Sequence, residues 1–154
     1  MSVQTIRLDR MALGIPELRQ RTRAMAERVY GIVRSLGMKE IVGEIVDLEL
    51  GVRGVSTLQT TPEMGFEKTG VVRGHYIFAQ ADSLAIAMVD ADVVLTGLAN
   101  IKFKRPVRVG ERLVAKAEVI RTKGSKYVVQ VVTKAGQEQV FRGKFVVFAV
   151  QTWR

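Results

Sequence analysis

The chain has no cysteine, so disulfides, thiolate metal sites and a cysteine nucleophile are all excluded. It has one histidine, His75, which excludes a multi-histidine metal cluster. No apolar run approaches the roughly 20 residues that a bilayer span requires. The N-terminus is basic and amphipathic rather than a charged stub ahead of an apolar core, so it does not read as a secretory signal. A cytoplasmic protein without metal or cofactor is the expectation. Acidic residues are scarce as well. There are 15 against 24 lysines and arginines, a formal net charge of +9 at pH 7 and a pI near 10.3. Such a balance suits a polyanionic partner (nucleic acid, a membrane surface or a phosphate-bearing ligand) or simply a soluble basic protein.

What is present is enough for one core. At 154 residues and 47% hydrophobic, the chain holds one main domain. Its positive charge falls in two zones. Residues 1–35 carry seven arginines against Asp9, Glu17 and Glu27. A second zone runs through Lys102, Lys104, Arg105, Arg108, Arg112, Lys116, Arg121, Lys123 and Lys126, against Glu111 and Glu118. Two anionic partners, or one long footprint, would account for both.

Periodicity divides the chain. Pro16 suits a first helical position, and Leu18, Thr22, Met25, Val29, Ile32 and Leu36 recur at three- and four-residue steps, which predicts a helix over 16–36. Gly31 costs about 1 kcal/mol inside such a helix and marks where it can bend or end. Its apolar stripe packs on the domain that follows or on a partner helix. From Ile41 the period changes: Val46, Leu48 and Leu50 alternate with Asp47 and Glu49, a half-buried strand. Gly51 and Gly54 punctuate a turn, Val55–Thr61 returns as a strand, and 62–70 is a loop carrying an aromatic, Phe66.

Ten of the thirteen residues from Ile77 to Val89 are apolar, with alternate alanines, which predicts a helix buried nearly all round. Gln80, Asp82 and Ser83 interrupt it, and a buried carboxylate at Asp82 needs a partner, water or a function. After a turn at 90–92 the alternation returns in Arg112–Val119, Tyr127–Val131 and Val140–Ala149. A long antiparallel sheet around one apolar helix is the hot-dog arrangement, an α+β fold whose open edge normally takes a second copy, so a homodimer is expected.

Several stretches resemble a known family. They are Ser2–Arg10, Ile15-Pro-Glu-Leu-Arg19, Ile41–Leu50, Arg73-Gly-His-Tyr-Ile-Phe-Ala-Gln-Ala-Asp-Ser-Leu-Ala-Ile-Ala87 and Lys102–Val119. In order, over essentially the whole chain, they resemble the FapR family of bacterial repressors of fatty-acid and phospholipid synthesis. The last of them is also similar to the strand pair that follows the helix in many hot-dog thioesterases. The resemblance implies three parts: 1–13 as the remnant of a helix-turn-helix recognition helix, 14–38 as a linker helix, and 39–154 as the effector-binding hot-dog domain. It implies malonyl-CoA or malonyl-acyl carrier protein as ligand, released DNA as the response, and operator contacts from Thr5, Arg7 and Arg10. With the supporting helices of the helix-turn-helix missing from this sequence, specific operator binding by the chain alone is not expected.

Arg73 matches the arginine that pairs with the malonyl carboxylate, for which a guanidinium is the natural fork. Gly74 matches the close approach of backbone to thioester, and Phe66 a loop aromatic that packs on the ligand. Asp82 stands where the family usually has asparagine and where related thioesterases carry their catalytic carboxylate. An acyl-CoA thioesterase using Asp82 is therefore the alternative to a non-enzymatic sensor. In the empty site Asp82 is expected to pair with Arg73 and to compete with the ligand.

Overall fold

Every stretch with alternating apolar residues lies in one sheet, and the apolar stretch that breaks the alternation lies across it. The computed structural model describes residues 28–29 and 31–150. Two strands, β1 (Glu44–Glu49) and β2 (Arg53–Gln59), precede a helix, α1 (Gly74–Ala87). Four longer strands follow: β3 (Val93–Phe103), β4 (Arg112–Lys123), β5 (Lys126–Ala135) and β6 (Glu138–Val150). All neighbours pair antiparallel in a six-stranded sheet of order β1-β2-β4-β5-β6-β3. The sheet wraps α1, which meets five of the six strands, β2 to β6.

The core fills the space between helix and sheet. Leu84 and Met88 from the helix side, and Ile45, Leu113, Phe141 and Phe145 from the strands, are fully buried. Each such side chain contributes about 1.5–3 kcal/mol through its removal from water. Three polar side chains on this apolar helix each fasten α1 to a different neighbour, although Gln80 Oε1 is buried without a partner among the described residues. Gln80 donates from Nε2 to the Ser56 carbonyl at 3.2 Å. Ser83 donates to the Gln80 carbonyl and accepts from the Val42 backbone N–H. Asp82 accepts from the Thr96 hydroxyl of β3 at 2.6 Å.

Three expectations are corrected. Ile45 and Leu48, rather than Val46, Leu48 and Leu50, supply the core-facing side of β1. The register shifts between Ile45 and Asp47, and this bulge turns Ile45 inward without moving Leu48 to the wrong face. Gly54 lies inside β2 rather than in the turn, and a Cβ there would meet Leu84 and Leu48 at 3.1 and 3.2 Å. Glycine at this position lets the helix approach the sheet closely. The helix predicted over 16–36 ends earlier. Among its described residues, Arg28, Val29, Gly31 and Ile32 are helical and the chain leaves the helix at Val33. Val29 is buried and Leu36 packs on the core as expected, but Val33 takes the buried place expected of Ile32, which is exposed. Beyond it Arg34 pairs with Asp90 and Asp92, and Ser35 donates to the Ile86 carbonyl, which draws the segment across the end of α1. The 1–13 segment and most of the 14–38 linker lie outside the described residues.

Candidate functional site

The loop before α1 and the first turn of α1 build one side of the site. Pro62–Met64 forms a single 3-10 turn. Phe66 and Val71 then close a small hairpin, with Phe66 N–H donating to the Val71 carbonyl. The return strand is tied down by Val72 N–H to the Val107 carbonyl and Val109 N–H to the Gly70 carbonyl. The loop is thus pinned through its backbone, and Phe66 stands on it 54% exposed.

Arg73 is the N-cap of α1. Its backbone N–H donates to the Met64 carbonyl at 2.9 Å, which locks the loop to the start of the helix. The guanidinium lies 5.2 Å from the centre of the Tyr76 ring. It donates through Nη2 to the Glu63 carbonyl (2.9 Å) and the Tyr76 hydroxyl oxygen (3.1 Å), and through Nε to the Met64 carbonyl (3.4 Å). A guanidinium has five N–H donors. The two on Nη1 have no protein acceptor among the described residues, and no carboxylate neutralises the charge there. An oriented, uncompensated cation beside a helix N-terminus favours an anion.

Gly74 follows directly. A Cβ there would lie 3.3 Å from the Phe103 ring, so glycine admits this ring over the start of the helix. Phe103 packs edge-on against Phe141, with ring centres 5.2 Å apart, and stays 45% exposed. The apolar wall beside Arg73 therefore comes from the end of β3.

Asp82 does not join this cluster. The expected Arg73–Asp82 pair is absent, and helix geometry gives the reason. Nine residues along an α-helix is about 13 Å of rise and about two and a half turns, which puts the two positions on opposite faces. Asp82 faces β3 and Thr96 instead. Burial raises its carboxyl above the ordinary 3.8, and the Thr96 bond draws it part of the way back.

A raised folded-state value means the stabilising contribution is full below 3.8 and is lost as pH rises through that folded value. Asp82→Asn keeps an oxygen for Thr96 and removes the titration. Its melting temperature should exceed that of the unmodified chain by a few degrees at pH 7, with the difference closing below pH 3.8. A difference that grows on acidification would contradict this assignment.

Of the residues proposed from sequence, Phe66, Arg73 and Gly74 stand on one loop-helix junction, and Asp82 stands apart. Thr5, Arg7 and Arg10 lie outside the described residues. Tyr76, Phe103 and Thr96 were not anticipated. Tyr76 could have been found from its spacing of three after Arg73 on a helix. Phe103 and Thr96 carry no local signal.

Known proteins match this architecture. The thioesterase superfamily model matches residues 70–141, from the end of the site loop into β6. The transcription factor FapR of Thermoanaerobacter sp. (strain X514) is 56% identical over 150 residues, covering 97% of this chain and 75% of that protein. The chain belongs to the FapR family. Its fold also recurs in solved structures. An uncharacterized protein from Pyrococcus horikoshii superposes with a TM-score of 0.72 at 32% identity, over 79% of this chain and 92% of that one. A Streptococcus mutans protein solved bound to acetyl CoA superposes with a TM-score of 0.63 at 18% identity, over 71% and 90%. Membership of a family of transcription factors makes the hot-dog domain a regulatory module, and no helix among the described residues is long and apolar enough to cross a membrane.

Proposed function

We propose that this chain is the effector domain of a repressor of fatty-acid and phospholipid synthesis genes, that it binds malonyl thioesters, and that binding releases DNA. The observation that carries the ligand assignment is Arg73. Its guanidinium is fixed by two backbone carbonyls and a tyrosine, carries no protein counter-charge among the described residues and keeps Nη1 open. A malonyl carboxylate is the anion such a fork accepts. Phe66 on the loop before α1 and Phe103 over Gly74 are exposed rings available to the acyl and pantetheine chain. The acetyl CoA held by the Streptococcus mutans fold neighbour supports thioester chemistry for this type of sheet. Malonyl-CoA and malonyl-acyl carrier protein present the same acyl end, and either fits.

The working unit in this account is a homodimer formed across β3. Of the two sheet edges, β1 is short, bulged and acidic at Glu44, Asp47 and Glu49, which blunts it. The other edge, β3, is 11 residues long and exposes Leu95, Leu98 and Phe103. A long apolar edge is a template for another strand.

A thioesterase reading rests on one observation, the half-buried Asp82 with its raised carboxyl beside β3. A carboxylate used as base or nucleophile must be ionised and within reach of the thioester or its water. Asp82 is instead on the face of α1 away from Arg73 and already bonded to Thr96. Thiol release from acetyl-, malonyl- and longer acyl-CoAs separates the two readings. No turnover beyond spontaneous hydrolysis is expected with any of them. Catalytic release that Asp82→Asn abolishes would make the chain an enzyme.

A further inference from the structure

The second basic zone of the sequence takes no part in the thioester site, and the sheet sorts it into two groups. Arg105 is consumed by structure: it forks onto Glu111 at 3.0 and 3.1 Å. Arg108 lies in the loop between β3 and β4, whereas Lys102, Lys116 and Lys126 reach the outer face of the sheet, opposite α1, where β6 adds cations the linear cluster did not include. Phe141 and Phe145 point inward and are buried, so Arg142 and Lys144, which alternate with them, point outward and are exposed. Register then carries the outward set across the sheet. Arg142 lies opposite Lys102 on β3 and Val132 on β5, and Val132 lies opposite Lys116 on β4. Lys144 lies opposite Asn100 and Gln130. Lys126 points the same way, with its ammonium 5.9 Å from the centre of the Phe148 ring.

From β4 to β3, a width of roughly 14 Å, the outward carboxylate is Glu118, opposite Gln130 and Arg53. Among the described residues, none of Lys102, Lys116, Arg142 and Lys144 forms an ion pair. Lys102 and Arg142 face each other directly, an arrangement that is destabilising in a sheet unless an anion lies between them. The ammonium of Lys104 is held below its ordinary value, first by Lys102, then by burial and by Arg142. An open groove of about 440 Å³ lies on this face, lined by Asn100, Lys102, Gln130, Arg142 and Lys144 among others. Positive charges are thus concentrated around amide donors with room for an anion.

We infer that the outer face of the sheet, centred on Lys102, Arg142 and Lys144, is a binding surface for the phosphate backbone of duplex DNA. Charge complementarity selects the occupant. The arginine-rich residues 1–35 of this chain would be repelled, and so would the same face of a second copy. The inference rests on the proposed function only for the choice of polyanion, since a DNA-binding regulator works beside duplex. Contacts of this kind carry no sequence information and add affinity that salt removes. They would hold the domain against DNA while other parts read the operator.

The test is fluorescence anisotropy of a labelled random-sequence duplex with the full chain over a series of salt concentrations. The Lys102→Gln/Arg142→Gln variant should flatten the plot of log affinity against log salt by about one unit or more, each lost phosphate contact counting about 0.9. Affinity at 0.1 M salt should fall roughly tenfold. The charge-matched Lys39→Gln/Arg108→Gln variant should keep nearly the slope of the unmodified chain. Equal loss in both variants, or none in the first, would overturn the inference. So would loss of binding to phosphatidylglycerol vesicles with duplex binding unchanged, which would make the occupant a membrane. Calorimetry with malonyl-CoA should give the same affinity for the first variant as for the unmodified chain. A first variant that lost malonyl-CoA as well as DNA would show that this face is no separate surface, whereas an unmodified chain that binds duplex but no malonyl-CoA would contradict the thioester reading alone.

Discussion

Arg73→Ala should abolish the preference for malonyl-CoA over acetyl-CoA while weak binding of both remains. The two ligands differ by one carboxylate, and the Arg73 guanidinium is the positioned cation at the start of α1. A charge-assisted bond of this kind is worth about 1.5–3 kcal/mol, which is roughly ten- to a hundredfold in affinity. Arg73 also ties its own helix to the Glu63 and Met64 carbonyls, so removing it loosens the loop that carries Phe66. That second effect weakens both ligands alike, and the ratio of their affinities isolates the carboxylate contact. Arg73→Lys should recover part of the preference, because an ammonium keeps the charge but lacks the fork. If the alanine variant still favoured malonyl-CoA tenfold, the carboxylate would be held elsewhere.

Leu95→Lys/Leu98→Lys should convert a dimer of twice the 17.1 kDa chain mass into a monomer. In the isolated chain Leu98 is 62% exposed and Leu95 44%, so the fold itself should lose little, within about 0.5 kcal/mol for each exposed site. Across a β3–β3 interface the same change places like charges side by side and removes the apolar contact, which is how natural edge strands refuse partners. Sedimentation reads the mass, and thermal melting confirms that the monomer is folded. An unmodified chain that sediments as a monomer would remove the dimer from the account. A variant that stays dimeric would move the interface away from β3.

Alternation and the single apolar helix made α1 and five of the six strands legible in the sequence. The alternation of β3 is broken by a bulge between Thr96 and Leu98, and it did not read as a strand. The departures arose where a tertiary contact overrode a local pattern. Gly54 looked like turn punctuation because glycine clusters there, but its role is to let Leu84 come close. Ile45 is buried through a bulge that shifts the strand register, and periodicity cannot signal an added residue. The missing Arg73–Asp82 pair has the same kind of cause. With the helix begun at Ile77, no face could be assigned to Arg73. Once it begins at Gly74, the nine-residue separation places the two on opposite sides. The partner of Asp82, Thr96, comes from a strand 14 positions later and could only be found by folding the chain. The basic face shows the reverse. Lys102 and Lys116 were conspicuous in the linear sequence, but only the pairing with β6 brings Arg142 beside Lys102.

The central claim, that this domain holds a malonyl thioester through its carboxylate, is tested most directly by calorimetric titration of the unmodified chain with malonyl-CoA and acetyl-CoA in parallel. Saturable binding with malonyl-CoA tighter by ten- to a hundredfold is the result this account predicts. Equal affinities, or a preference for acetyl-CoA, would contradict it.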